Sequence, residues 1–210
     1  MTKKQRAARV IELLKSEYPD VKCALVYEKP HELLIATRLS AQCTDKRVNM
    51  VTPALFERFP TVEAFADAKV AEIEEYIKSC GLFHTKANDI SLMCKDLRDR
   101  FDCRVPDTIE ELTSLPGVGR KTANLIVGDL YGKPAIVCDT HVIRLTNLIG
   151  LTDSKDAVKV EKQLAAIIPP EEGIMMCHRL VWHGRLVCIA RRPQCENCCL
   201  REICKNTKIG

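Results

Sequence analysis

The 210-residue chain combines 46% hydrophobic with 29% charged residues and carries only ten prolines and nine glycines, which excludes a low-complexity or disordered chain and fits one compact domain or two small ones. No apolar run approaches the roughly 20 residues of a membrane span, and the basic N-terminus lacks the apolar stretch of a secretory signal, so a cytosolic protein with no membrane partner is expected. The net charge of +4 permits an anionic partner without requiring one.

Helical periodicity dominates from the start. Ala7, Val10, Ile11 and Leu14 form an i, i+3, i+4, i+7 stripe that stops before Pro19. Further helical stretches follow at 30–42, 46–58, 62–67, 69–80, 84–101, 108–115, 120–131, 140–149, 155–168 and 173–186, separated by short breaks such as Phe59-Pro60-Thr61 and Gly132-Lys133-Pro134. Ala135 to Cys138 is apolar enough for a strand but has no second strand to pair with, so it is expected as buried connector. The fold class is therefore all-α, with no solenoid repeat.

Two of these helices meet in a tight turn. Thr108 with Glu111 predicts a capping box, Ile109, Leu112 and Leu115 mark a buried face, and the helix ends at Pro116-Gly117-Val118-Gly119. A second helix starts near Arg120 with Ala123, Ile126, Val127, Leu130 and Tyr131 on one face. Backbone N–H groups at such a glycine turn, set at the positive end of a helix, suit a phosphate, and DNA is the obvious source of one. A nucleotide-binding P-loop is excluded, because glycines are needed where Arg120 and Leu115 stand. Spacing alone leaves a purely structural hairpin equally open. Lys121 is then either a phosphate-binding cation or a nucleophile; the second role needs a neutral amine, which the helix N-terminus, Arg120 and partial burial would favour. Asp139 stands just before the apolar-periodic helix of Val142, Leu145 and Ile149, where an aspartate serves as N-cap.

The twelve cysteines are unevenly placed. Cys23, Cys43, Cys80, Cys94, Cys103, Cys138 and Cys177 are widely scattered and read as small buried hydrophobes. Five others crowd the last 23 residues, and Cys188, Cys195, Cys198 and Cys204 have the spacing C-x6-C-x2-C-x5-C of four thiolates around one metal centre. Zinc sites more often show two short pairs, whereas here only Cys195 and Cys198 form one. Arg191 and Arg192 lie in the loop between the first two of these cysteines, as phosphate contacts or as solvated surface charge.

Leu115-Pro116-Gly117-Val118-Gly119-Arg120-Lys121-Thr122-Ala123 resembles the helix-hairpin-helix of the endonuclease III family of DNA glycosylases. Leu39-Ser40-Ala41-Gln42-Cys43-Thr44-Asp45, Gly81-Leu82, Val137-Cys138-Asp139-Thr140-His141 and His183-Gly184-Arg185 resemble that family's segments in the same order, over nearly the whole chain. The resemblance implies a two-domain fold, with a six-helix domain over 23–133 containing the hairpin at about 108–131, and a cluster domain of 1–22 plus 134–210. It also implies base excision repair by a bifunctional enzyme. Lys121 displaces an oxidised pyrimidine and forms a Schiff base, β-elimination then cleaves the abasic site, and Asp139 stabilises charge on the sugar. The partner implied is duplex DNA containing damaged pyrimidines or abasic sites, met by a monomer in a cytoplasmic, nucleoid-associated setting at the cleft where Lys121 and Asp139 meet.

Further roles carried by the resemblance are DNA contacts from Gly117, Val118, Gly119, Arg120, Arg191 and Arg192, and entry of Gln42 and Leu82 into the space a flipped base vacates. The four spaced cysteines would hold a [4Fe–4S] cluster, leaving Cys199 a spare thiol. Cys43 departs from the family, where a small residue such as alanine is expected. Adenine-specific relatives lack the lysine and carry a carboxylate upstream of the segment matching Gln42, whereas Leu33 to Arg38 contains no acid. A module that only binds DNA is the non-enzymatic alternative.

Overall fold

A computed structural model describes residues 1–207. Among them are eleven α-helices, two short 3-10 turns and no strand, so the all-α expectation holds. The chain divides into two compact units, one of Cys23–Tyr131 and one of Met1–Lys22 together with the chain from Gly132 on.

In the Cys23–Tyr131 unit, α2 (Pro30–Leu39) is buried on nearly every side: Leu33, Leu34, Ile35, Ala36 and Leu39 have no exposed surface. A helix buried on nearly every side sits at a centre, and α3 (Asp45–Arg58), α6 (Phe83–Phe101) and α8 (Arg120–Tyr131) pack against it. The short α4 (Val62–Asp67) and α5 (Val70–Ile77) lie on α6, where Phe59 and Phe65 stack with ring centroids 5.1 Å apart. The stretch expected at 30–42 stops at Leu39 because Ser40 turns its hydroxyl back to Thr37 O at 2.8 Å and Gln42 takes a left-handed conformation, φ 52°. The stretch expected at 108–115 is α7 (Ile109–Thr113). Its cap is half the expected box: Thr108 Oγ1 accepts from Glu111 N at 3.3 Å and donates to the Glu111 carboxylate at 2.8 Å.

The other unit opens with α1 (Lys3–Glu17), capped by Thr2 and Gln5 in a reciprocal box. Its predicted stripe of Ala7, Val10, Ile11 and Leu14 is buried, and the helix packs on α11 (Gly173–Leu186). Helix α9 (Thr140–Ile149) also packs on α11, at a point where a Cβ on Gly184 would come within 2.9 Å of His141 and 3.3 Å of Leu145. The glycine of His183-Gly184-Arg185 is thus required by close helix approach. Helix α10 (Ala157–Ala165) completes the unit. Ala135, Ile136, Val137 and Cys138 are buried without regular structure, as expected for connector. Of the scattered cysteines, Cys80, Cys94, Cys138 and Cys177 are buried, whereas Cys23, Cys43 and Cys103 are half-buried rather than internal.

Candidate DNA-repair site

The hairpin turn between α7 and α8 is shaped by Gly117. Its φ of +73° lies in the left-handed region, and a Cβ there would sit 2.7 Å from Arg38 Nε and 2.8 Å from Asp89 Oδ2. Those two side chains form a half-buried ion pair with an N···O distance of 2.5 Å, tying α2 to α6 under the turn. Gly119 is the opposite case, since a Cβ there meets nothing within 4 Å. The fold does not need that glycine, so its bareness leaves the outer face open to close approach by a ligand. Val118 is buried and anchors the turn, while Gly117, Gly119 and Arg120 are exposed.

These two glycines make a paired prediction. Gly117→Ala adds left-handed strain of about 1–2 kcal/mol to overpacking of about 1–3 kcal/mol, and thermal melting is expected to register the loss. Gly119→Ala is expected to leave the melt nearly unchanged and to weaken binding of undamaged duplex. Equal melting shifts for the two variants would contradict the assignment of separate duties.

Lys121 stands on the first turn of α8 and is exposed, not partly buried as the sequence suggested. Asp139 N-caps α9: its Oδ1 accepts from Val142 N at 2.8 Å, and its Oδ2 lies 3.4 Å from His141 Nδ1. Lys121 and Asp139 belong to different units. Gln42 and Leu82 are both exposed and both left-handed, with φ of 52° and 58°, and a Cβ on Gly81 would lie 3.5 Å from the Gln42 carbonyl oxygen. The turns carrying them are neighbours within the Cys23–Tyr131 unit.

Cys188, Cys195, Cys198 and Cys204 line one cavity of about 50 Å³, with Leu145, Ile149 and Leu200 in its wall. A single water needs roughly 10–15 Å³, so the space takes a larger group. Among the described residues no three His, Cys, Asp or Glu side chains converge as for one ion. Cys199 does not line the cavity, and burial pushes its thiol up to about 12. Three sulfurs already have polar neighbours: Arg144 Nη1 donates to Cys188 Sγ at 3.7 Å, His183 Nε2 lies 3.3 Å from Cys198 Sγ, and Cys204 Sγ donates to Leu148 O at 3.6 Å. Burial holds His183 down to about 4, and its Nδ1 contacts the Tyr18 hydroxyl at 2.9 Å. Reading by spacing did not find Arg144 or the sulfur contact of His183. The available signal was that His183 lies in the last turn of α11, five residues before Cys188, which follows the helix's end. Arg191 and Arg192 are exposed on the loop closed by Gln194 N donating to Val187 O at 2.9 Å.

An all-helical fold with a hairpin before an exposed lysine defines a class. Residues 35–170 match the model of the HhH-GPD superfamily base excision DNA repair proteins. The chain is 45% identical to the endonuclease III of Synechocystis sp. over 210 residues, covering all of this chain and 96% of that one. It is 41% identical to that of Bacillus subtilis over 90% of this chain and 86% of that one. A solved structure described as a trapped endonuclease III–DNA covalent intermediate superposes with a TM-score of 0.93 at 42% identity, over 99% of this chain and 98% of that one. A thermostable thymine-DNA glycosylase shares the fold at a TM-score of 0.84 and 20% identity, covering 98% of this chain and 96% of that one. The chain belongs to the endonuclease III family. It is accordingly a DNA-binding base excision repair enzyme, a glycosylase with abasic-site lyase activity, from a family whose members bind a [4Fe–4S] cluster.

Proposed function

We propose that the protein removes oxidised pyrimidines from duplex DNA and cleaves the resulting abasic site through a Schiff base on Lys121. The observation that carries the reading is an exposed lysine one residue beyond a turn whose Gly119 leaves its outer face bare. The Lys121 amine attacks the anomeric carbon, the base departs, and the opened sugar is held as an imine. Removal of a proton beside that imine then expels the 3′ phosphate oxygen. Asp139 supplies negative charge against the positive sugar, and Gly117 to Arg120 grip the backbone phosphate. Gln42 and Leu82 fill the gap left by the extruded nucleotide.

The adenine-specific alternative needs a carboxylate on α2. Its nearest acid, Glu32, is buried, and its carboxylate accepts from the backbone N–H groups of Glu28 and Lys29 at 2.8 and 3.1 Å. That acid holds the helix start. Borohydride added to protein and duplex DNA carrying an oxidised pyrimidine is expected to trap a covalent complex. Base release with no trapped product would assign the monofunctional class, and neither event would reduce the chain to a binding module. A monomer is the working species under this reading, and sedimentation at micromolar concentration checks it.

Cys188, Cys195, Cys198 and Cys204 suit a [4Fe–4S] cluster, since four thiols facing one cavity without converging on a point match a polynuclear group better than a single ion. When bound, the cluster supplies structural cross-linking of the C-terminal segment. With Cys198 as a thiolate, His183 Nε2–H donates to the sulfur and Nδ1 accepts from Tyr18, and Arg144 offsets charge at Cys188. The purified protein is expected to be brown with about four irons. Colourless protein with one zinc would overturn this assignment.

The loop so pinned presents Arg191 and Arg192 to phosphates at low entropic cost. Replacing both by alanine is expected to reduce the slope of log affinity against log salt by roughly 1.8, the change for two lost phosphate contacts. An unchanged slope removes this loop from the DNA interface.

A further inference from the structure

Two cysteines outside the cluster flank the two turns assigned to the vacated base position. Cys43 follows Gln42 in the turn between α2 and α3, and Cys80 precedes Gly81-Leu82 in the turn between α5 and α6. A Cβ on Gly81 would lie 3.5 Å from the Gln42 carbonyl oxygen, which sets the two cysteine-bearing turns side by side, and the two thiols act on each other. Cys80 has no exposed surface whereas Cys43 is half-buried, so one sulfur is reachable from solvent and the other waits behind it. Neither belongs to a helix, and turns can absorb the small rotations that a sulfur–sulfur bond demands. Cations adjoin the pair. The positive charges of Lys86 and Arg47 both act on Cys80, and Lys86, itself fully buried, is fixed by donating from Nζ to Leu39 O at 2.8 Å. These charges only partly offset the burial of Cys80, whose thiol stays protonated.

We propose that Cys43 and Cys80 are a reversible disulfide site, and that closing it fastens the Gln42 and Leu82 turns to each other and slows lesion excision under oxidising conditions. The consequence for excision rests on the gap-filling role of Gln42 and Leu82; formation of the bond does not. With hydrogen peroxide as oxidant, the Cys43 thiolate takes one peroxide oxygen as a sulfenic acid and releases hydroxide, which takes up a proton to become water. The Cys80 sulfur then attacks the Cys43 sulfur, the S–S bond forms, the S–O bond breaks, and a second water leaves with the Cys80 proton. Two thiols are oxidised and one peroxide is reduced. Burial holds the Cys80 thiol up at about 11, which leaves the first attack on peroxide to the more accessible Cys43. A dithiol reductant reverses the bond by exchange at the accessible Cys43 sulfur.

The linkage has an unambiguous chemical signature, because trypsin places Cys43 in the peptide 39–46 and Cys80 in the peptide 79–86, each with no other cysteine. Iron-loaded protein treated with peroxide and digested without reductant is expected to yield these two peptides joined. Excision from damaged duplex should fall at least about tenfold, as for a loop held in one state. Dithiothreitol should restore it, and binding of undamaged duplex should stay within about twofold. Cys43→Ser, treated in parallel, should keep its excision rate. Absence of the joined peptides overturns the site. Equal slowing of Cys43→Ser overturns the switch, because the damage then lies elsewhere. Joined peptides with unimpaired excision also overturn the switch, and Leu82→Ala separates the causes: a slow variant preserves the gap-filling role, and an unimpaired one removes it.

Discussion

Lys121→Gln is expected to abolish the borohydride-trapped complex and to lower excision by about 10³-fold or more, the scale on which members of a nucleophilic unit act. Glutamine keeps much of the side chain's reach and polarity but has no amine to condense with an opened sugar. Because Lys121 is exposed on the first turn of α8, the exchange removes no packing, and the melting temperature should hardly move. The competing role is a phosphate-binding cation. Loss of one such contact costs affinity uniformly and reduces the salt slope by about 0.9, yet leaves trapping intact. Lys121→Arg sharpens the comparison, since it keeps the charge and removes the nucleophile. A phosphate role predicts near-normal activity for arginine; the Schiff-base role predicts arginine as inactive as glutamine. Normal trapping by either variant sinks the assignment.

The fold was legible in the sequence because its signals are local. The Ala7, Val10, Ile11, Leu14 stripe states a buried face, and the helices read at 140–149 and 173–186 are found with those bounds, where Asp139 caps one start and Gly150 takes a left-handed conformation at the same helix's end. Errors arose where tertiary contacts override local preference. Helix α2 stops short because Ser40 and Gln42 begin a turn that brings the latter's carbonyl oxygen to 3.5 Å from the Gly81 Cβ position, a partner almost forty positions away. Lys86 illustrates the same limit more strongly. Nothing in 84–101 marks it as a lysine with no exposed surface, because its acceptor, Leu39 O, comes from another helix. The candidate site divides likewise. Cysteine spacing picked out four residues that line one cavity, but the neighbours of their sulfurs, Arg144 and His183, are 44 and 15 positions away from their partners and carry no pattern. Gly117 and Gly119 look alike in the sequence, and only their surroundings separate a glycine required by the fold from one that the fold leaves open.

Asp139→Asn is expected to lower excision by about 10²–10³-fold while shifting the melt by less than about 4 °C, and the comparison with Asp139→Ala decides which of two duties the residue carries. The carboxylate already has a structural duty, because Oδ1 accepts from Val142 N at 2.8 Å and so caps α9. Asparagine caps as well as aspartate, so this variant keeps the hydrogen bond and loses only the charge together with its modest attraction to the helix N-terminus. Alanine loses the cap as well, at about 1 kcal/mol. A residue that only caps therefore predicts near-normal excision for asparagine and impaired stability for alanine. A residue whose charge faces the positive sugar predicts that both variants are equally slow, with only alanine less stable. The capping bond uses one oxygen, and the other lies 3.4 Å from His141 Nδ1, so the two duties fall on different atoms of one carboxylate. A single cap thus orients the second oxygen, and a rate loss confined to the alanine variant would show that position rather than charge is what Asp139 contributes.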